Sequence, residues 1–383
     1  MQDYLNLAQF GQYLKNNDIE AIRAEQRKNC VTLKQLQSEP VVILGAADEG
    51  VRLLEILDAM GASDVTIVDM NPAKKGQCLL GKYLVQPFSD PIVCNAHVIL
   101  ATHRTLNAYK LCQESKARSV TPFLHLQTLY PDTFEPHFFH KNMLEILKSG
   151  VDDITQLADT LVDETSVQVL EACLNYRIFG VPTVFDPIVD WQLYEPRAID
   201  LTPFAEVYVD CGSYDGDSVL LHLSRYTERV KQVFAFEPDP STFERLVANT
   251  SESGKVTCIN KGVGDKVSTL YFSANKERAS LFTDAGEVAV DITNLDTELA
   301  DATPTLIKMN IEAFEPLALA GAETLIAKET PALAISAYHQ PEHIFSLQQQ
   351  VEAIAPGVYQ FYLRQHDGGL VETVLYALPK IKA

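Results

Sequence analysis

Two segments of the chain share one pattern: a short apolar strand ends in a glycine-containing turn that leads directly into a helix. The first is PVVILGAADEG at residues 40–50, and the second is EVYVDCGSYDGDS at residues 206–218. Apolar strands and amphipathic helices alternate after each of them. This alternation predicts parallel sheets covered by helices, because a return to a parallel strand needs a crossover connection. We therefore expect two doubly wound α/β units.

The rest of the pattern divides the chain of 383 residues into four regions. Residues 1–35 have apolar side chains at helical spacing and predict an N-terminal helical segment. Residues 36–139 predict a smaller Rossmann-like α/β domain, and residues 140–200 a helical linker followed by a connector. Residues 201–383 predict the larger domain, in which five parallel strands precede a closing antiparallel pair.

Composition limits the partners of this protein. A net charge of −20 without a local basic stripe disfavours binding to nucleic acid or to an anionic membrane. No apolar run is long enough for a membrane span, and the start of the chain lacks a secretory signal pattern. The seven cysteines are scattered and none has zinc-ligand spacing, so we expect a cytoplasmic protein and assign no metal ligands, while a metal requirement stays open.

The first glycine loop, residues 45–50, resembles a dinucleotide-binding fingerprint, and Asp69 ends the next strand where a ribose-binding acid would lie. Ala47, however, stands where a glycine would let the backbone approach a pyrophosphate. Asp48 and Glu49 also place negative charge at the helix start. Three interpretations stay open: an NAD(P) site, a site for a nucleotide-sugar or another small ligand, and a structural or degenerate domain.

The second loop, residues 210–217, is still more acidic and so unsuited to a phosphate group. S-adenosyl-L-methionine has no phosphate and carries a sulfonium cation and an ammonium group, which acids near a strand end would favour. Gly212 and Gly216 remove side chains where the loop would turn over the amino-acid part of that ligand. Asp217 could equally cap the following helix.

Acids at the ends of the next two strands extend this pattern. Glu237 can accept both ribose hydroxyl protons, and Pro238 then turns the chain. Asp265, at the expected end of the third strand, is placed to accept from the adenine amino group. Asn249 is expected to cap the second helix at its C-terminal end. The residues predicted to bind the donor are Asp210, Gly212, Ser213, Gly216, Asp217, Glu237, Pro238 and Asp265.

These motifs resemble those of the FkbM-type methyltransferases. The matching segments are VDCGSYDGDS, FAFEPDP, NKGVGDK, TLIKMNIEAFEPLALAGAETLI, PALAISAYHQPEHI and ETVLYAL, and the resemblance as a whole extends over about residues 187–378. The resemblance implies a class I methyltransferase fold and S-adenosyl-L-methionine as donor. It also implies O-methylation, often of a sugar, a glycan or a natural product.

The sequence departs from the family motif after the fourth strand. Lys308, Glu312 and Glu315 keep the residue types of the family, whereas Asn310, Ala313 and Phe314 replace an acid, a glycine and a small residue. Asn310 keeps an acceptor oxygen but cannot act as a base. The departure leaves open an alternative, in which the fold is catalytically degenerate and acts as a binding or scaffolding protein.

Methyl transfer to a hydroxyl needs a group that takes the proton from the attacking oxygen. Candidates lie at the ends of the fourth and fifth strands: Glu312 and His339, with His343 expected to be structural. Lys308 is expected to pair with Glu312 or Glu315 or to orient an acceptor oxygen. The residues predicted to form the catalytic site are His339, Glu312, Lys308 and Asn310. A second alternative couples an N-terminal nucleotide-sugar module to the methyltransferase. The acceptor and the oligomeric state stay open.

Overall fold

The computed structural model describes residues 4–102, 104–272, 282–283 and 288–380. Its internal contacts form two compact units, each assembled from three stretches of chain. The first unit comprises residues 1–155, 167–189 and 365–371, and the second comprises residues 156–166, 190–364 and 372–383. Both contain a parallel sheet, so the expected fold class of a Rossmann-like methyltransferase sheet preceded by a smaller α/β domain is confirmed.

The first unit begins with short helices whose N-termini are capped by the side chains of Asn6, Asp18 and Thr32. Its five-stranded sheet has the order β5-β2-β1-β6-β7. Strands β1 and β6 are buried along their whole length, as expected for central parallel strands covered on both faces. In chain order, the helices and strands as far as residue 179 are α1 (Leu7–Asn16), α2 (Ile19–Arg27), α3 (Leu33–Ser38), β1 (Val41–Leu44), α4 (Asp48–Ala59), β2 (Val65–Asp69), β3 (Cys78–Leu79), β4 (Tyr83–Leu84), β5 (Gln86–Pro87), α5 (Asp90–Val93), β6 (His97–Leu100), α6 (Thr105–Glu114), β7 (Ser119–Pro122), α7 (Phe123–Leu129), α8 (Met143–Ser149), α9 (Val151–Thr160) and α10 (Glu164–Phe179).

The second unit contains a seven-stranded sheet of order β10-β9-β8-β15-β16-β18-β17, in which β18 runs antiparallel to β16. The central strand β8 is parallel to β9 on one side and to β15 on the other. The elements are β8 (Val207–Cys211), α11 (Asp217–Arg225), β9 (Gln232–Phe236), α12 (Pro240–Thr250), β10 (Val256–Ile259), β11 (Gly262–Val263), β12 (Ser268–Phe272), β13 (Phe282–Thr283), β14 (Val288–Thr293), α13 (Leu295–Glu298), β15 (Leu306–Met309), α14 (Glu315–Ala320), α15 (Glu323–Glu329), β16 (Ala332–Ser336), α16 (His343–Ile354), β17 (Tyr359–Gln365) and β18 (Thr373–Pro379).

The third strand of this unit is shorter than the sequence suggested. It ends at Ile259, and the Asn260 side chain donates hydrogen bonds to the carbonyl oxygens of Glu237 and Pro238, which turns the chain away from the sheet. The chain then joins a separate four-stranded sheet of order β11-β14-β12-β13. Asp265 lies exposed in the turn between β11 and β12. Its expected position at the end of the third strand is therefore wrong.

Within the described ranges, no helix is both long and apolar enough to cross a lipid bilayer.

Candidate functional site

A buried ion pair holds the ends of β8 and β15 together. Asp210 has no exposed surface, and its carboxylate accepts hydrogen bonds from Lys308 Nζ at 2.7 Å, Ser218 Oγ at 2.5 Å and Tyr208 OH at 3.1 Å. Buried charges need such partners, because desolvation of an isolated ion is costly. The carboxylate of Asp210, predicted to bind the donor directly, is thus enclosed by protein groups and fixes the strand end.

The partner of Lys308 differs from the expectation. In the parallel register Lys308 lies directly opposite Asp210, and its ammonium group also donates to the Gly212 carbonyl at 2.7 Å. Its predicted pairing with Glu312 or Glu315 is therefore wrong, because those residues follow the strand whereas Lys308 lies within it. Lys308 is only 3% exposed, and its hydrogen bond to the Gly212 carbonyl supports the glycine loop.

Two glycines shape that loop, as the sequence predicted. Gly212 has a φ of +82°, and a Cβ placed on it would lie 2.0 Å from the Asn310 carbonyl oxygen, so no side chain fits. Gly216 has a φ of +93° and forms the N-cap of α11. Ser213 is buried and donates its hydroxyl to the Asp210 carbonyl at 2.9 Å. Asp217, the first residue of α11, is exposed.

The structure brings Glu237 beside this loop. It follows β9 and is 7% exposed. One carboxylate oxygen accepts the Tyr214 N–H at 3.0 Å and the other accepts the Asp239 N–H at 2.9 Å. Burial raises the pKa of Glu237 to about 7, and the two backbone hydrogen bonds act in the opposite direction. Pro238, which has no N–H to donate, follows where the chain turns out of the sheet.

The glycine loop at residues 210–217 has a second attachment, through Asn249, that the sequence did not predict. Asn249 was expected to cap the C-terminal end of its helix, but Ser251 occupies that position. The Asn249 side chain instead donates a hydrogen bond to the Asp215 carbonyl at 2.8 Å. The loop is therefore held from the second helix as well as from Glu237. Only the fold reveals this contact, since nothing local to Asn249 distinguishes it from a helix cap.

A buried carboxylate and histidine lie at the ends of β15 and β16. Glu315 and His339 both have no exposed surface, and His339 Nδ1 donates to Glu315 Oε1 at 2.8 Å. The Ile311 N–H donates to the same oxygen at 2.8 Å. Nδ1 of His343 lies 3.6 Å from the other oxygen. Glu312 Oε2 lies 3.9 Å from His339 Nε2, on a side chain that is 37% exposed.

The pKa values of this pair move apart. Burial alone would lower the pKa of His339, but the Glu315 charge and hydrogen bond outweigh it and raise that pKa above its ordinary value. Burial alone would raise the pKa of Glu315, yet the charge and hydrogen bond of His339 hold it below its ordinary value. The pair is thus an ion pair of carboxylate and imidazolium.

Residues 310–314, where the sequence departs from the family motif, form the turn between the Glu315–His339 pair and the glycine loop. Asn310 donates its side-chain N–H to Tyr194 OH at 2.8 Å and accepts from Tyr338 OH at 3.5 Å. Glu312 has a φ of +55° and Ala313 a φ of +79°. Ala313 therefore keeps the left-handed backbone that explains a glycine in the family motif.

No group of three or more metal-ligating side chains occurs in the part of the chain that the structure describes.

The glycine loop of the first unit, residues 45–50, contacts Asp69, Lys74 and Ala101 of its own chain. Asp69 accepts the Ala46 N–H at 2.8 Å, and Lys74 Nζ lies 3.5 Å from the same carboxylate and donates to the Ala46 carbonyl. A Cβ on Gly45 would lie 2.2 Å from the Ala101 carbonyl oxygen. The acid expected to bind a ribose thus contacts the loop itself.

Comparison with known proteins agrees with the geometry. Residues 210–361 match the family described as Methyltransferase FkbM domain. No curated protein matches the chain. The solved structure of an FkbM methyltransferase from Methylobacillus flagellatus is similar with a TM-score of 0.71 and 20% identity, over 97% of this chain and 98% of that chain.

Two other solved structures overlap a smaller part of the chain. An rRNA methylase from Streptococcus thermophilus has a TM-score of 0.31 and 16% identity, over 46% of this chain and 87% of its own. Fibrillarin from Aeropyrum pernix, solved with S-adenosyl-L-methionine, has a TM-score of 0.30 and 9% identity, over 45% of this chain and 66% of its own. The family match confirms the resemblance recognised from the motifs for residues 210–361, and the similarity to the Methylobacillus flagellatus structure confirms the fold.

Proposed function

We propose that the second unit transfers a methyl group from S-adenosyl-L-methionine to a hydroxyl oxygen of a sugar, a glycan or another natural product. The observation that carries the proposal is the placement of the buried Glu237 carboxylate against the glycine loop, at the carboxyl ends of adjacent parallel strands. Ligands of doubly wound sheets bind at that edge.

The residues present fit this donor. Each Glu237 oxygen accepts one N–H and keeps a lone pair for a ribose hydroxyl. Gly212 lets the loop pass against the Asn310 carbonyl, where no side chain would fit. The acidic loop suits a ligand that has cationic groups and no phosphate. When bound, S-adenosyl-L-methionine would supply a methyl group activated by a sulfonium. Ser213 and Gly216 belong to the loop that would hold its amino-acid part.

The acceptor would lie at the ends of β15 and β16. Glu312 is the group we assign to remove the hydroxyl proton, because its side chain is partly exposed and accessible to a substrate. A raised pKa keeps the His339 proton in place, so His339 is better suited to fix Glu312 and the acceptor oxygen than to act as base. Glu315 positions His339 through their 2.8 Å hydrogen bond. Asn310 is tied to two tyrosines and orients the same turn.

The donor site is tested by calorimetric titration of S-adenosylmethionine and S-adenosylhomocysteine into the intact protein and into Glu237→Gln. The substitution should weaken binding at least tenfold, about 1.4 kcal/mol. Glu244→Gln is the matched control, because Glu244 is an exposed glutamate of α12. No binding by the intact protein, or an equal loss in both variants, would refute the proposed donor site.

The chemistry is tested by methyl-label transfer to hydroxyl-bearing sugars and natural products. Glu312→Gln should reduce kcat by about 10²–10⁴-fold, the range for a general base, with donor affinity unchanged. Glu315→Gln should shift the pH dependence of kcat to lower pH, since His339 loses its carboxylate partner. Binding of the donor without transfer to any acceptor would favour the alternative, a degenerate fold that acts as a binding or scaffolding protein.

A further inference from the structure

The first unit contains a cavity of about 310 Å³. Its walls come from several elements of that unit: Gln26 of α2, Tyr109 of α6, Thr121 of β7, His125 of α7 and Phe179 of α10. The volume is at the lower end of the range for small-molecule sites. It also opens beside the carboxyl end of β7, the edge at which doubly wound sheets bind ligands.

This cavity is distinct from the glycine loop that the sequence singled out. In that loop Asp69 accepts the Ala46 N–H and Lys74 donates to the Ala46 carbonyl. Neither residue is part of the cavity wall. The cavity is therefore a separate candidate site, beside the edge strand β7.

The wall combines aromatic rings with hydrogen-bonding groups. Tyr109 and Phe179 supply ring surfaces, and Gln26, Thr121 and His125 supply polar groups. His125 packs directly against Gly180, where a Cβ would lie 2.4 Å from the imidazole ring, so the wall is formed by a specific close contact. Nδ1 of His125 is buried and has no hydrogen-bond partner among the described residues. Polar groups of this kind in a buried wall are typical of ligand sites.

The wall carries no charge at neutral pH. Among the described residues that line it there is no aspartate, glutamate, lysine or arginine. Burial lowers the pKa of His125 to about 4, which leaves its imidazole neutral. Burial raises the pKa of the Cys30 thiol to about 11, which keeps it protonated. A phosphate or a carboxylate entering this cavity would lose its hydration without gaining a counter-charge.

We propose that this cavity binds an uncharged, ring-shaped polar molecule such as a free monosaccharide or a nucleoside. The two aromatic rings would contact the faces of the ring, and the side chains of Thr121, His125 and Gln26 would exchange hydrogen bonds with its polar substituents. The site is independent of the proposed methyl transfer, since all its residues belong to the first unit.

The test is a thermal-shift and calorimetric panel on the full chain, held at saturating S-adenosylhomocysteine so that the donor site is filled. Glucose and uridine represent the two neutral sources, and glucose 6-phosphate, UMP and UDP-glucose are their charged counterparts. At least one neutral compound should bind, at least tenfold more tightly than its phosphorylated counterpart. Whichever of glucose and uridine binds identifies the source.

Variants locate the site. Thr121→Val removes one hydroxyl from the wall and should weaken binding at least fivefold, while Thr128→Val, a buried threonine outside the wall, should leave it unchanged. Val181→Trp places bulk at the cavity and should abolish binding even if Thr121→Val is poorly folded. The proposal is overturned if neither neutral compound binds, if the charged counterparts bind equally well, or if the wall variants bind as the parent protein does.

Discussion

Ala313 lies in a backbone conformation that favours glycine, so Ala313→Gly should stabilise the protein. At a φ of +79° a residue with a Cβ costs about 1–2 kcal/mol relative to glycine. Glycine also gives the unfolded chain more freedom, which offsets about 0.4–1 kcal/mol. Because Ala313 is half-buried, its methyl group contributes little packing. The net expectation is a gain of about 0.5–1 kcal/mol in the free energy of unfolding.

The measurement is urea-induced unfolding followed by circular dichroism, supported by calorimetry. For a domain of this size the gain corresponds to a rise in Tm of about 1–4 °C. The matched control is Ala248→Gly, the same substitution on the exposed face of α12, which should destabilise by about 0.5–1 kcal/mol. If both variants lose stability to the same extent, the turn is not strained at Ala313 and the reasoning is refuted.

Three further outcomes are expected. The affinity for S-adenosylhomocysteine, measured by calorimetry, should rise up to about tenfold from pH 6 to pH 8. The reason is that the raised pKa of Glu237, about 7, leaves its carboxyl group largely protonated at pH 6. An affinity that does not change with pH would contradict this expectation. Asn249→Ala should weaken the same binding about 3–10-fold, since it removes the hydrogen bond to the Asp215 carbonyl; unchanged affinity would show that this contact does not support the loop. Asp163→Asn should lower the free energy of unfolding by about 1–3 kcal/mol, because the guanidinium of Arg364 is 2% exposed and loses its charged partner at 2.6 Å. Partial burial would raise the pKa of Asp163, but the hydrogen bond from Arg364 holds that pKa below its ordinary value. The stabilisation by this ion pair is therefore present at neutral pH and lost as the pH falls below about 4. Chemical unfolding across that pH range should show a smaller loss of unfolding free energy on acidification in the variant than in the parent protein.

The sequence was sufficient to predict features that depend on local pattern. Both sheets follow from apolar runs that alternate with helical periodicity, and the loop of Gly212 and Gly216 follows from residue types that a tight turn requires. Glu237 was predicted beside that loop because acids at the carboxyl ends of adjacent parallel strands meet at one edge. These inferences use spacing along the chain and the geometry of a single strand–helix–strand unit.

Features that depend on side-chain contacts across the fold were not predictable. The pairing of Lys308 with Asp210 depends on the register of two strands that are distant in sequence but adjacent in the sheet. The displacement of Asp265 depends on one side chain, Asn260, which ends the third strand early. The attachment of Asn249 to the glycine loop is a contact between the last turn of α12 and a loop more than thirty residues earlier in the chain. Hydrogen bonds of this kind leave no periodic signal in the sequence.

The close approach of Gly212 to residue 310 explains why the side chain at 310 can differ from the family motif whereas the glycine at 212 cannot be replaced. It is the main-chain carbonyl of Asn310 that touches Gly212, and every amino acid has that carbonyl. A different side chain at 310 would therefore change the contacts with Tyr194 and Tyr338 but not this approach to the glycine loop. Gly212 has no such freedom, because any side chain at that position would meet the carbonyl of residue 310.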